Sequence, residues 1–314
     1  MVQAGSEIRI EASAKINLTL AVIGKRIDGY HDLCSIVMPV SLTDTLHLTA
    51  TYAQVAITIT VSPGVDLSKI GPLNHNLAVR AARLMQKRYA VNAGARIHIH
   101  KRIPIGGGLG GGSADAAGVI LGLDRLWELH APLEELLQLG AELGSDIPAL
   151  IHGGGVLMEG RGERVSGLPQ KEATTPSGFW LVIANPGVMC STPTIFKKWQ
   201  SSQRHAPPPL TTMIDAIQTG NVVLAARTLQ NDLQTTVFEA YPEIAATAKR
   251  LTEAGCEGVL LSGSGASVFG LVRDRQQGLD VRKKIGPSLW HALARTLPKA
   301  PQIPPFGASK MQSR

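Results

Sequence analysis

Aromatic side chains make up only 4% of the chain, too few for a surface that holds nucleic acid by stacking one base after another. Any ring at a ligand site therefore carries weight. Cysteine is scarce too: Cys34, Cys190 and Cys256 are odd in number and widely spaced. That excludes a disulfide framework or a CxxC metal pair and points to a reducing, cytoplasmic setting. No apolar run approaches the roughly 18 residues of a membrane span, and Glu7, Arg9, Glu11 and Lys15 stand where a secretory leader has its apolar core. No membrane partner is expected. The nine histidines show neither HxxxH nor His–Cys spacing, so no protein-built metal site is expected.

Glycine is what the chain has in abundance, 33 residues of 314, beside 44% apolar and 18% charged residues. Such a composition forms an ordinary globular core, and the length is about that of two domains. The net charge of +7 raises nucleic-acid binding as a class. Its distribution argues otherwise: residues 1–272 are balanced, while 273–314 hold nine basic against two acidic side chains. The surplus runs into a Pro-rich stretch over 299–314, read as a basic, disordered tail. An RNA-binding module stays open as an alternative and predicts salt-dependent affinity lost with that tail.

Residues 7–24 alternate polar and apolar, the period of a strand, with Lys15, Asn17 and Thr19 on one face. A β-rich stretch covers 45–61. Helical spacing then runs over 74–90 behind a possible Asn cap, 95–100 reads as a strand, and 113–130 and 132–143 read as helices, the latter with Pro132 first and Gly144 just past its end. Residues 169–178 are polar and turn-rich and mark the expected boundary between two domains. Beyond it come a strand at 179–184, helical segments near 211–230 and 242–254, and strands at 257–261 and 266–272 flanking a Ser-Gly-Ser-Gly turn.

Between strand 95–100 and helix 113–130 lies Pro104-Ile-Gly-Gly-Gly-Leu-Gly-Gly-Gly-Ser113-Ala114, six glycines in eleven residues. Glycines admit a ligand close to the backbone, and the helix N-terminus that follows offers unpaired N–H groups to an anion. A phosphate fits this loop. The Lys-Ser/Thr of a Walker loop is missing, and no second half of a dinucleotide fold is apparent. The plain alternative is a surface loop capped by Ser113.

Three further stretches stand beside it: Ala14-Lys15-Ile16-Asn17, Asp28-Gly29-Tyr30-His31, and Gly144-Ser145-Asp146-Ile147-Pro148. With Leu261-Ser-Gly-Ser-Gly-Ala-Ser267 they resemble the motif set of the GHMP kinase superfamily over about residues 13–272. The resemblance implies an α+β fold of two domains, an ATP-binding N-terminal α/β domain over 1–168 and a ferredoxin-like C-terminal domain over 169–298, with the site in the cleft between them. The loop together with Gly29-Tyr30-His31 and Ala14-Lys15-Ile16-Asn17 implies ATP-dependent phosphorylation of the 2-hydroxyl of 4-diphosphocytidyl-2-C-methyl-D-erythritol. Other acceptors used within the superfamily, homoserine, mevalonate or a sugar, and a catalytically silent homologue are the alternatives. A monomer or weak homodimer is expected.

The same resemblance implies the roles. Asp146 is the catalytic base and Lys15 its partner; read locally, Asp146 ahead of Pro148 is equally a helix N-cap, and Lys15 a solvated strand lysine. Pro104, Gly106, Gly107, Gly108, Leu109, Gly110, Gly111, Gly112, Ser113 and Ala114 hold the ATP phosphates, while Asn76 and Lys101 serve the adenosine end. Ala114 stands where the family often has a second Ser, so Ser113 supplies any hydroxyl. Asn17 hydrogen-bonds the acceptor. Tyr30 stacks on the cytosine opposite Phe196, His31 bonds the base edge, and Thr192 lines the same wall; a buried Tyr with a satisfied His is the plain reading. Gly263, Ser264 and Gly265 close over the reacting groups, or form an ordinary hairpin turn. Magnesium is expected to arrive with ATP.

Overall fold

A computed structural model describes residues 4–169, 178–199 and 208–298. The chain begins with a long antiparallel hairpin, β1 (Glu7–Lys25) and β2 (His31–Thr51). Alternating burial holds over the first residues of β1, as the polar-apolar pattern requires, and then gives way to a run buried on both faces. The cause lies at its distal end, where Leu20 and Val22 pack into the apolar cluster of the second half of the chain. The β-rich stretch 45–61 divides into the end of β2 and a separate strand, β3 (Ala56–Val61), which lies parallel to β4 (Gly94–Lys101). β5 (Val156–Gly160) and β6 (Arg164–Gly167) complete this sheet through the proximal end of β2.

Four helices come from the first half: α1 (Leu77–Arg88), α2 (Gly111–Leu126), α3 (Leu133–Leu143) and the short α4 (Ile147–His152). α2 is set tightly on the sheet by small residues. A Cβ at Gly122 would stand 2.3 Å from Leu48 Cδ1 and 2.6 Å from Ile10 Cδ1, so the helix axis cannot recede without leaving a void. That contact fixes where the α2 N-terminus points, and hence the glycine loop.

In the second half β7 (Trp180–Asn185) is followed by α5 (Thr192–Lys198), α6 (Leu210–Thr219), α7 (Val222–Thr228), β8 (Gln230–Asn231), α8 (Gln234–Ala240) and α9 (Pro242–Ala254). The segment read as one helix near 211–230 is thus two, broken at left-handed Gly220, with Asn221 capping α7 through the Leu224 N–H. β9 (Gly258–Leu261), β10 (Val268–Val272), α10 (Arg275–Ile285) and β11 (Trp290–Arg295) finish the described chain. The four strands order as β11-β7-β10-β9, all antiparallel. This is the ferredoxin-like arrangement expected for the second half.

The sheet changes between β6 and β7; the boundary expected at 169–178 lies, but for its two ends, outside the described residues. The halves are nonetheless stitched together: β8 pairs in parallel with β1 at Thr19 and Leu20, and Thr296 bridges to Val40. Phe179, Leu181, Ile183 and Phe269 share one apolar cluster with Ile16 and Leu18. The tail at 299–314 lies outside the described residues. Among the described residues no helix is long and apolar enough to cross a membrane, and all three cysteines are free thiols.

Candidate active site

The glycine loop joins β4 to α2. Gly106, Gly108 and Gly110 have φ of +69°, +74° and +68°, a left-handed conformation that side chains resist. Gly110 is the N-cap of α2 and makes no side-chain cap, so the N–H groups of Gly111, Gly112 and Ser113 lack helical partners. Ser113 lies within the first turn, which removes the reading of this loop as one capped by Ser113. The cradle thus suits an anion such as a triphosphate.

One member of the expected phosphate set has its N–H spent within the helix. Ala114 is buried in the apolar core, and its N–H is spent on the Gly110 carbonyl at 2.7 Å, the first bond of α2. Leu109 turns its side chain into the core and contributes main chain, its carbonyl accepting from Lys15 N at 2.9 Å.

Lys101 is also corrected. Its ammonium is buried beneath the loop between Asp44 and Asp115, the latter at 2.6 Å, and is not presented to adenosine. Burial opposes the Lys101 charge, but the two carboxylates outweigh it and hold the ammonium above its usual range. Burial pushes the Asp115 carboxyl up to about 7, against the pull of Lys101 and with the push of Asp44. Asp44 also accepts from the Arg102 and Ile103 N–H groups, so this triad ties β2, β4 and α2 together directly behind the loop. Asn76 caps α1, its Oδ1 accepting from Ala78 N at 2.9 Å.

Lys15 and Asp146, 131 positions apart in sequence, meet. Lys15 Nζ is 3.5 Å from Asp146 Oδ2, with side-chain exposures of 4% and 31%. Asp146 occupies the N-cap position of α4 but makes no cap hydrogen bond. Its carboxylate is therefore turned from the helix end toward Lys15, in place of the capping role its sequence position allows. Asn17 is buried with both ends of its amide engaged: Oδ1 accepts from Lys15 Nζ at 2.8 Å and Nδ2 donates to Ser35 Oγ at 2.8 Å. Asn17 thus grips Lys15 from its own strand face.

The Ser-Gly-Ser-Gly turn between β9 and β10 lies over this pair. A Cβ at Gly263 would sit 3.2 Å from Lys15 Nζ, and one at Gly108 would sit 2.3 Å from Ser262 O and 2.7 Å from Gly265 O. The two glycine turns meet backbone to backbone, joined by Ser267 N to Gly107 O at 2.9 Å and Ser262 Oγ to Gly108 O at 3.1 Å. Thr192 Oγ1 lies 2.7 Å from Ser264 Oγ, which ties the α5 end to the turn.

At the far end, Phe196 stacks on His31 with centroids 5.1 Å apart, and Trp199 meets the same imidazole edge-on at 5.8 Å. Tyr30, 54% exposed, carries the Arg161 guanidinium 4.2 Å over its ring. Tyr30 and Phe196, expected on either side of the cytosine, each carry another group against the ring, Arg161 over Tyr30 and His31 on Phe196. Burial, with Lys25 adding, holds the His31 imidazole below its usual value. Sequence reasoning missed Asn231, whose Nδ2 donates to the Leu261 and Gly263 carbonyls, and also Ser35, Trp199 and Arg161. None carries a local signal, since each acts through a contact distant in sequence.

Comparison with known proteins defines the class first. The family described as GHMP kinases N terminal domain matches residues 76–154, which span α1, the glycine loop and Asp146, and GHMP kinases C terminal matches 213–292. A 4-diphosphocytidyl-2-C-methyl-D-erythritol kinase of Shouchella clausii is 40% identical over 84% of this chain and 85% of its own length, and one of Gloeobacter violaceus is 39% identical over 85% and 86%. A solved structure of 4-(cytidine 5'-diphospho)-2C-methyl-D-erythritol kinase superposes with a TM-score of 0.72 at 30% identity, over 91% of this chain and 99% of that one. Homoserine kinase from Cytophaga hutchinsonii, 16% identical with a TM-score of 0.68 over 93% and 95%, shares the fold. The chain belongs to the 4-diphosphocytidyl-2-C-methyl-D-erythritol kinase family of GHMP kinases.

Proposed function

We propose that the chain transfers the γ-phosphoryl group of ATP to the 2-hydroxyl of 4-diphosphocytidyl-2-C-methyl-D-erythritol, giving the 2-phosphate and ADP in non-mevalonate isoprenoid precursor synthesis. The observation that carries this reading is the Lys15–Asp146 pair, 3.5 Å apart where the two glycine turns converge. Phosphoryl transfer asks for alignment and charge stabilisation more than for covalent chemistry. The loop N–H groups hold the triphosphate, Lys15 stabilises charge on the group in transfer, and the Asp146 carboxylate takes the proton of the attacking hydroxyl. Asn17 keeps the Lys15 ammonium aimed by accepting from it. Magnesium arrives with ATP and neutralises its β- and γ-phosphates; among the described residues no three His, Cys, Asp or Glu side chains gather to hold an ion.

The cytidine end of the acceptor meets Tyr30, His31 and Phe196, with Thr192 beside them. His31 in its neutral form bonds the base edge. Residues 1–168 and 169–298 act as the two domains, in a cytoplasmic monomer or weak homodimer that needs no nucleic acid. The test is an assay of the purified protein with Mg-ATP and a panel of cytidine acceptor, homoserine, mevalonate and sugars, the phosphate position read by phosphorus NMR. Transfer to the 2-hydroxyl of the cytidine acceptor alone is expected. Preferential turnover of another acceptor, or none at all, overturns the proposal.

A further inference from the structure

The turn between β5 and β6, Gly160-Arg161-Gly162-Glu163, takes no part in the chemistry proposed above, yet it touches the acceptor site at both ends. At one end the Arg161 guanidinium carbon lies 4.2 Å over the Tyr30 ring centroid, and its Nη1 is 3.8 Å from Asp28 Oδ2. Asp28 in turn accepts from Tyr30 N at 3.1 Å, so ring and backbone of Tyr30 are both tied to this corner. At the other end Gly162, with φ of +111°, leaves no room for a side chain: a Cβ would lie 2.4 Å from Ser145 O and 2.9 Å from Ser145 Cβ. Ser145 directly precedes Asp146.

The turn is itself fixed. Gly162 N donates to Glu159 O at 3.1 Å, and Arg161 N donates to Glu163 Oε2 at 2.6 Å. The Glu163 carboxylate fills the space above Gly160, where a Cβ would stand 2.4 Å from it. β5 pairs with β2, Gly160 opposite Leu33, so the turn is anchored two residues from His31.

We propose that Arg161 is a specificity-determining positioning residue: by stacking on Tyr30 it holds the exposed ring where the nucleobase of the acceptor meets it. The abutment of Gly162 on Ser145 keeps the turn in register with the reacting end, so nucleobase and hydroxyl are placed by one rigid element. This rests on the cytidine-acceptor reading. A side chain that acts through Tyr30 alters acceptor binding and leaves the nucleotide side alone.

The experiment is steady-state kinetics of Arg161→Ala, Tyr30→Ala and the double variant with Mg-ATP and the cytidine acceptor. Arg161 is a half-exposed turn residue outside the apolar core, so its variant should fold. The expected result is an acceptor KM raised about threefold to tenfold, as for loss of a cation–π contact that also orders its ring, with kcat within about twofold and the KM for ATP unmoved. In the Tyr30→Ala background the same change should add nothing further. An unchanged acceptor KM, an equal rise with and without Tyr30, or a joint fall in kcat and ATP affinity overturns the inference. A wild-type protein that does not phosphorylate the cytidine acceptor overturns the functional reading and this inference with it. Wild-type turnover combined with an inert Arg161→Ala overturns this inference alone.

Discussion

At the end proposed for the nucleotide the protein presents main chain: three left-handed glycines, an uncapped helix start and a second glycine turn pressed against the first. At the end proposed for the acceptor it presents side chains: Phe196 and Trp199 pack on His31, and Arg161 lies over Tyr30. The first end is rigid because no side chain fits and a buried ion triad braces it from behind. The second is a cluster whose members come from the β1–β2 connection and α5. Backbone recognition of phosphate is common to all acceptors, whereas rings and imidazole discriminate among them. Lys15 and Asp146 sit at the seam between the two.

The largest effect should come from the seam. Asp146→Asn keeps the volume and loses the proton acceptor, so kcat should fall by about 10²–10⁴ while ATP affinity, measured by calorimetry, is retained. Retained turnover would remove Asp146 as the base and break the comparison at its centre.

Next is the main-chain end. Gly108→Ala places a methyl 2.3 Å from Ser262 O at a left-handed residue, and about 3 kcal/mol of stability should be lost, with activity falling equally on every acceptor tried. Thermal unfolding and an acceptor series together check this.

A smaller effect separates the ends by pH. His31 is held below the ordinary 6.5 by burial and by Lys25, so its neutral form prevails around neutrality and it gains a proton only as the pH falls below that value. The acceptor KM should rise a few-fold across that acid range, by about the size of one lost hydrogen bond, with the KM for ATP following a different profile. His31→Gln, neutral throughout, should flatten the acceptor profile.

The smallest concerns the buried triad. The Asp115 carboxyl, at about 7 in the fold against 3.8 when exposed, keeps a proton in the folded state that the unfolded chain has already released. Its contribution to stability is therefore present at low pH and lost as the pH rises from about 4 to 7. Asp115→Asn keeps an oxygen toward Lys101 without the charge. Its stability relative to wild type should be more favourable at pH 8 than at pH 5, on the order of 1 kcal/mol, as read by urea unfolding.

Much of this was legible from residues next to one another in the chain. The strand alternation of residues 7–14, the Asn76 cap, the Pro132 and Gly144 ends of α3 and the glycine loop are local signals, because backbone conformation and helix ends are chosen within a few residues. Asp146 was readable as base or cap. The absence of a cap bond, with Lys15 at 3.5 Å, appears only after folding. Lys101 was misplaced for the same reason: its two carboxylates lie 57 and 14 positions away.

The sequence by itself determined the glycine loop ahead of a helix, since residue types at short spacing set it, and its motifs resemble those of the family that the comparisons show. Only the tertiary structure decided which polar groups face the ligand and which brace the frame. It spent Lys101 and Asn17 on internal partners, turned Asp146 outward to Lys15, and laid Arg161 on Tyr30. The physical reason is that burial and partner choice for a charged side chain depend on what packs against it, and those neighbours arrive from distant strands.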